Sequence, residues 1–152
     1  MMNYISDDFG HWFAGFADGE SSFIMHMNDN SSNIPKCIFA ITLRADDLPT
    51  LQFIKETLGI GKIRRNRNNA QGHTSVSYRV YSKGEVATLV EFFQKYPLRS
   101  KKANDFKIWS RAVGLWNSED WRGRRIGEKQ KVSDSMVNLM IQLREGRKCA
   151  VE

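Results

Sequence analysis

The stretch Phe13-Ala14-Gly15-Phe16-Ala17-Asp18-Gly19-Glu20-Ser21-Ser22-Phe23 changes its apolar repeat part-way along, and that change organises the rest of the chain. Before Gly19 the repeat is helical. With Ser6 as N-cap, Phe9, Trp12, Phe13 and Phe16 stand at i, i+3, i+4 and i+7, the stripe of an amphipathic helix expected to enter the core. Opposite it, His11, Ala14, Gly15 and Asp18 recur at the same spacing. Small residues let helix backbones approach closely, so this second face suits another helix; a buried helix with one hydrogen-bonded Asp gives the same pattern. From Ser22 to Asn28 the repeat is two, with Phe23, Met25 and Met27 on one side and Ile24, His26 and Asn28 on the other, which predicts a strand.

Outward from this stretch, the composition of residues 28–35 signals a turn, and alternation from Lys36 to Arg44 completes a hairpin. Asp46 or Asp47 as cap, Pro49 in the first turn and Gly59 as stop frame a second helix through Leu48, Leu51, Phe53, Ile54 and Leu58. A second hairpin is expected from about Gly61 to Arg67 and from Thr74 to Tyr81, joined across Asn68 to His73. Ser82 and Glu85 form a capping box for a third helix carrying Val86, Leu89, Val90 and Phe93. Pro97 interrupts, Ser100 can cap a further helix through Phe106, Ile108 and Trp109, and a last helix is expected from about Ser133 to Arg144. The order is helix, two strands, helix, two strands, then helices: an α+β chain with an antiparallel sheet, read as a single domain over residues 1–152.

The strand faces opposite the apolar residues are polar and basic: His26, Asn28, Lys36, Arg44, Lys62, Arg64, Asn66, Ser77 and Arg79, with Ile24 among them. A solvated face of an antiparallel sheet explains part of this pattern. The excess of Arg, Lys and Asn supports a second reading, because Arg and Lys suit guanine edges and phosphates, Asn suits adenine, and a two-stranded ribbon fits the major groove. The chain as a whole is basic, with 23 Lys and Arg against 17 Asp and Glu, which favours a polyanionic partner without identifying it. No apolar run is long enough to cross a membrane, and Met1-Met2-Asn3-Tyr4 has no secretory pattern, so an intracellular site, bacterial cytoplasm or organelle, is expected. Cys37 and Cys149 lack metal-type spacing and are read as reduced thiols without a role.

The segment from Phe13 to Phe23 resembles the signature of the LAGLIDADG homing endonucleases, with Phe13 and Phe16 in the leucine places and Glu20 in the place of the second acid. The resemblance covers about residues 6–116. It extends to Gly59-Ile60-Gly61-Lys62-Ile63 and to Pro97-Leu98-Arg99-Ser100-Lys101-Lys102. It implies the α-β-β-α-β-β-α fold of that family, with a saddle of strands lying in the DNA major groove. It also implies paired signature helices at an interface, and Glu20 with the Gly19 carbonyl binding the catalytic metal. Ser21 stands where members often have Gly, and a positive φ there would strain it. Near the start of the second helix, where many relatives place a polar or basic residue, this chain has Leu43, Arg44 and Asp47, of which Arg44 is the only credible helper.

The activity implied is metal-dependent hydrolysis of both strands of double-stranded DNA. Mg²⁺ is the expected cofactor, with Mn²⁺ as a substitute and no other small-molecule cofactor. A cation near the phosphate stabilises the transition state, and the cluster Arg99, Lys101 and Lys102 is where to look for it; the sequence does not choose among the three. One signature per chain implies a homodimer on a near-palindromic site, and strands of 8 to 10 residues at roughly 3.3 Å each give about 20 base pairs for the pair. Two other readings stand beside this one: a non-cleaving DNA regulator or RNA-binding splicing maturase on the same fold, and a structural or protein-interaction domain with a solubilising basic face.

Overall fold

The computed structural model describes residues 4–27, 35–66, 74–118 and 126–148. Asn28, the segments 28–34 and 67–73 where turns are expected, residues 119–125 and Cys149 lie outside the described residues, and the side chains of 126–133 are not described. In chain order the elements are α1 (Asp7–Glu20), β1 (Ser21–His26), β2 (Lys36–Arg44), α2 (Leu48–Leu58), β3 (Lys62–Asn66), β4 (Ser75–Val80), α3 (Lys83–Lys95), α4 (Lys102–Asn117) and α5 (Ile126–Glu145). This is the α+β order expected from the repeats, with a four-stranded antiparallel sheet ordered β1-β2-β4-β3.

The helix boundaries follow local chemistry. Ser6 Oγ accepts the Phe9 N–H at 3.2 Å, capping α1, and Ser82 Oγ accepts the Glu85 N–H at 3.4 Å, capping α3. Gly59 ends α2 in the left-handed region at φ 72°. Asp47 occupies the cap position of α2 after a 3-10 turn over Ala45–Asp47, without a side-chain capping bond. The last helix begins at Ile126, earlier than expected. The apolar repeat that marks its start from sequence begins only at Met136. Upstream, Glu128, Lys129, Gln130 and Lys131 extend the helix through propensity, which leaves no periodic trace.

One face of the sheet carries the core. Phe13 of α1, Phe23 of β1, Phe39 of β2 and Phe92 and Phe93 of α3 interlock, with ring centroids 5.2 to 6.2 Å apart. Fully burying each such ring contributes about 1.5–3 kcal/mol. Trp109 of α4 packs at a tilt against Phe23 and donates its Nε1–H to the Ile24 carbonyl at 3.2 Å, tying α4 to the β1 edge of the sheet. Cys37 lies in the same core, where burial pushes its thiol up to about 12, which suits an inert thiol.

The helical stripe of α1 departs from expectation. Its buried line runs through Phe9, Gly10, Phe13, Ala14 and Ala17, while Trp12 is 42% exposed and Phe16 only half-buried. Residue size decides the rotation. Gly10 lies against the Tyr96 ring so closely that a Cβ would stand 2.4 Å from it, and with Ala14 and Ala17 buried too, the indole two residues beyond Gly10 falls on the opposite side of the helix and is turned outward. No described helix is long and apolar enough to cross a membrane.

Candidate active site and nucleic-acid interface

The chain leaves α1 directly into β1, so Glu20, the last helical residue, is exposed beside the first residue of the sheet. Ser21 makes this junction in extended geometry, φ −87° and ψ 162°, with its N–H bonded to the Ala17 carbonyl and its Oγ donating to the same carbonyl at 2.7 Å. The strain expected of a serine here is absent because the position does not use positive φ. The hydroxyl also satisfies itself where burial would otherwise leave it unpaired.

The Asp18 carboxylate, one turn back, accepts hydrogen bonds from Arg99 N at 2.9 Å, Ser100 N at 3.0 Å and Ser100 Oγ at 2.7 Å. Partial burial pushes its pKa up. The Ser100 hydroxyl, the two N–H groups and the charge of Lys102 outweigh that and hold it below the usual value. Ser100 Oγ in turn accepts the Lys102 N–H at 3.2 Å just before α4, whose cap position falls on Lys101, one residue later than expected. The Lys102 ammonium then reaches back to the carbonyls of Gly19 at 3.3 Å and Asp18 at 3.4 Å.

Of the three candidate cations, Lys102 is therefore the one whose ammonium meets the end of α1. Arg99 engages Asp18 through its main chain, and Lys101 is exposed on the rim of the adjoining depression. Arg44 lies on the exposed end of β2, paired with Asp46 at 3.4 Å. A divalent cation fits the donor chemistry at this end of α1: two main-chain carbonyls already turned toward a positive charge and one exposed carboxylate. Among the described residues no group of three or more His, Cys, Asp or Glu could hold a metal, so a cation here would need ligands beyond the described residues, such as phosphate oxygens, water or a second copy.

Two of the four residues expected on the open face of α1 are used inside the chain. Ala14 is enclosed in the core, and Asp18 is bound to the connection before α4. His11 remains exposed with its ring edge-on to Tyr96 at 5.2 Å, and Gly15 has open space where a Cβ would stand. The open stripe is instead His11, Trp12, Gly15 and Gly19, flanked by Phe53 of α2, itself 52% exposed. The i, i+3, i+4 count in the sequence does not weigh side-chain size, which is why Trp12 and Ala14 exchange places.

Strand register places the expected interface residues on one face, apart from Asn28. His26 pairs with Lys36 and Ile24 with Ile38; Arg79 stands between Ala40 and Lys62; Ser77 stands between Thr42 and Arg64; Ser75 stands between Arg44 and Asn66. No described residue of these strand rows is Asp or Glu. Lys36, Lys62, Arg64, Arg79, Ile38 and Tyr81 line a shallow concavity of about 380 Å³ on this face. Ser77 is buried, its hydroxyl held by Thr42 Oγ1 and Asn66 Nδ2, each at 2.9 Å, so it orders its neighbours beneath the surface. Asn66 also donates to Ser75 Oγ at 2.9 Å. Arg79 Nε is buried without a hydrogen-bond partner among the described residues. The sequence reading left out Ile38, Ala40, Thr42, Ser75 and Tyr81, which share the face. Their period-two position was the available signal.

An acidic helix end thus stands beside a sheet whose described strand rows are basic and carry no acid, and comparison with known proteins gives the family in which this fold occurs. The family model described as LAGLIDADG endonuclease matches residues 13–113. The chain belongs to the LAGLIDADG endonuclease family. It is 30% identical to "Probable intron-encoded endonuclease 4" of Neurospora crassa over 112 residues, 74% of this chain and 19% of that protein. It is 27% identical to "Probable intron-encoded endonuclease Cox1-I1b" of Schizosaccharomyces pombe over 106 residues, 68% of this chain and 27% of that one.

Among solved structures, the LAGLIDADG meganuclease I-AabMI bound to uncleaved DNA is 27% identical with a TM-score of 0.67, covering 88% of this chain and 42% of that one. The homing endonuclease I-TnaI shares the fold at 23% identity and a TM-score of 0.67, covering 90% of this chain and 94% of that chain. The chain thus spans about a quarter or less of these curated relatives, under half of I-AabMI and nearly all of I-TnaI.

Proposed function

We propose that the chain is a site-specific DNA endonuclease: a single domain that pairs with a second copy through α1 and cuts both strands of a near-palindromic target. The observation that carries this reading is the junction of α1 and β1, where an exposed Glu20 stands beside the carbonyls of Asp18 and Gly19 that face the Lys102 ammonium. That junction opens onto a sheet whose described strand rows are basic and free of acids.

In this reading Glu20 and the Gly19 carbonyl hold a divalent cation, Mg²⁺ with Mn²⁺ as a substitute. When bound, such an ion activates water and neutralises charge on the attacking and leaving oxygens. Lys102 offsets the negative charge that builds on the phosphoryl oxygens during attack. Asp18, through Ser100, sets where that ammonium stands. The basic sheet binds the groove: Arg64 and Arg79 offer donors to guanine edges, and Lys36 and Lys62 meet phosphates. Of the strands, expected at 8 to 10 residues, only β2 has that length as described, with nine against six, five and six for β1, β3 and β4; at roughly 3.3 Å per residue β2 spans about 30 Å, or about nine base pairs, which supports a target of about 20 base pairs for two copies.

The open stripe His11, Trp12, Gly15 and Gly19 suits a close two-fold contact, because glycines let the two helix backbones approach. Such a contact brings the two Glu20 residues to the same axis, one for each strand. The test is cleavage of targets selected from a randomised duplex library in Mg²⁺. Glu20→Gln should keep DNA binding and lose cutting of both strands; cutting at the parent rate by Glu20→Gln would overturn the reading.

A further inference from the structure

Beyond the stretch matched by the family, the C-terminal helix returns to the cutting site. α5 ends at Glu145, and the next residues, Gly146 and Arg147, close a depression of about 370 Å³ whose other walls are Asp18, Ser100, Lys101, Lys102 and Asp105. Arg147 donates from Nη2 to the Phe23 carbonyl of β1 and lies with Nε 3.7 Å from Asp105 Oδ2 on α4. One guanidinium thus touches α4 and β1 from the end of α5, beside the lysine that reaches the end of α1.

The charges in this depression are not balanced against a ligand. Lys101, Lys102 and Arg147 bring three cations. Of the two acids, Asp18 is already saturated by Arg99 and Ser100, and Asp105 faces Arg147 itself. The Arg147–Asp105 contact, at 3.7 Å, is too long for a good hydrogen bond, so a better-placed acceptor can compete for the guanidinium. A guanidinium has five donors, and its two contacts here leave others for an incoming anion.

We infer that this depression takes a backbone phosphate of the bound DNA, next to the phosphate that is cut, with Arg147 as its principal ligand and Lys101 as the second. The inference rests on the endonuclease reading above. Phosphates follow one another every ~3.4 Å of helix axis along a strand, so the neighbour of a phosphate at Glu20 and Lys102 falls within reach of this adjoining hollow. Asp105 then acts as a brake that competes with the phosphate for Arg147. A residue that merely tied α5 to the sheet would not oppose its own partner in this way.

The experiment measures binding of the full chain to a mixed-sequence DNA duplex longer than the expected footprint, without divalent ions, across a series of salt concentrations. Thermal unfolding of each variant is followed in parallel. Arg147→Ala should weaken binding about tenfold and lower the slope of log affinity against log salt by about one, with no change in base preference. Arg147→Lys should keep the slope. Asp105→Asn should tighten binding, opposite in sign to Arg147→Ala although both break the same ion pair. Weakening by Asp105→Asn together with a matching loss of thermal stability would overturn the inference in favour of a structural tie. Parent affinity and slope in Arg147→Ala would overturn it too, while leaving the endonuclease reading intact; a parent chain with no salt-dependent affinity for DNA would overturn both.

Discussion

Ser100 Oγ donates to the Asp18 carboxylate at 2.7 Å and accepts the Lys102 N–H at 3.2 Å, so one hydroxyl links the end of the signature helix to the start of the helix that carries the lysine. Asp18→Asn removes the charge that gathers the Ser100 and Arg99 donors. The expected loss is about 1 kcal/mol of stability from weakened charge-assisted hydrogen bonds. Because the folded pKa of Asp18 is lowered, its contribution is fully present above the unfolded value of about 3.9 and is lost as pH falls through the folded value. The difference in Tm between parent and Asp18→Asn should hold from neutral pH to about 5 and close below that range. A difference that widens on acidification would refute the assignment.

Lys102 and Lys101 are adjacent in sequence but only the former reaches the Gly19 carbonyl. Lys102→Ala should lower the single-turnover cleavage rate by about 10²–10³, the usual cost of deleting a group that stabilises transition-state charge. Lys101→Ala should change that rate by only a few-fold and act mainly on affinity. Equal losses in the two variants, measured at saturating protein, would remove the basis for singling out Lys102.

Gly15 has open space beyond its Cα, so Gly15→Leu costs the isolated fold little. In the proposed pair it would stand between two helices and hold them apart. Sedimentation should show the parent as a dimer and Gly15→Leu as a monomer of similar Tm, with cutting of both strands lost. By contrast Gly61→Ala should destabilise the fold itself by more than about 1–3 kcal/mol, since φ is +84° and a Cβ would lie 2.5 Å from the Tyr78 ring.

On the sheet, Arg64 is exposed, and its cross-strand neighbour Ser77 is pinned by Thr42 and Asn66. Arg64→Ala should relax preference at one symmetric pair of positions at a cost of about 1–3 kcal/mol for the preferred base, whereas Lys36→Ala should weaken all sequences alike and reduce the salt slope by about one. Selection from a randomised duplex with each variant separates the two. An unchanged preference in the triple variant Arg64→Ala, Asn66→Ala, Arg79→Ala would mean that another surface reads the DNA.

Local chemistry was legible without coordinates wherever one residue type enforces one geometry. The caps Ser6 and Ser82, the left-handed stop at Gly59 and the period-two alternation through Phe23, Phe39 and Tyr78 determined the order of elements and the face of the sheet that turns outward. The family to which the string ending at Glu20 belongs was likewise legible, because its residue types and spacing are specific. What only the tertiary structure decided were choices among near-equivalent neighbours. Helical periodicity assigned Trp12 inward and Ala14 outward, but the narrow gap to Tyr96 and the core admitted the small residues and turned the indole out. Asp18, expected toward another helix, was captured by donors 81 and 82 positions away in sequence. Lys102 was selected from three cations by the same long-range contact, and Arg147 joined them from the chain's other end. A repeat in sequence records which residues share a face of their own element; the partner that face meets, and how deep it lets each side chain go, is fixed by packing between distant segments.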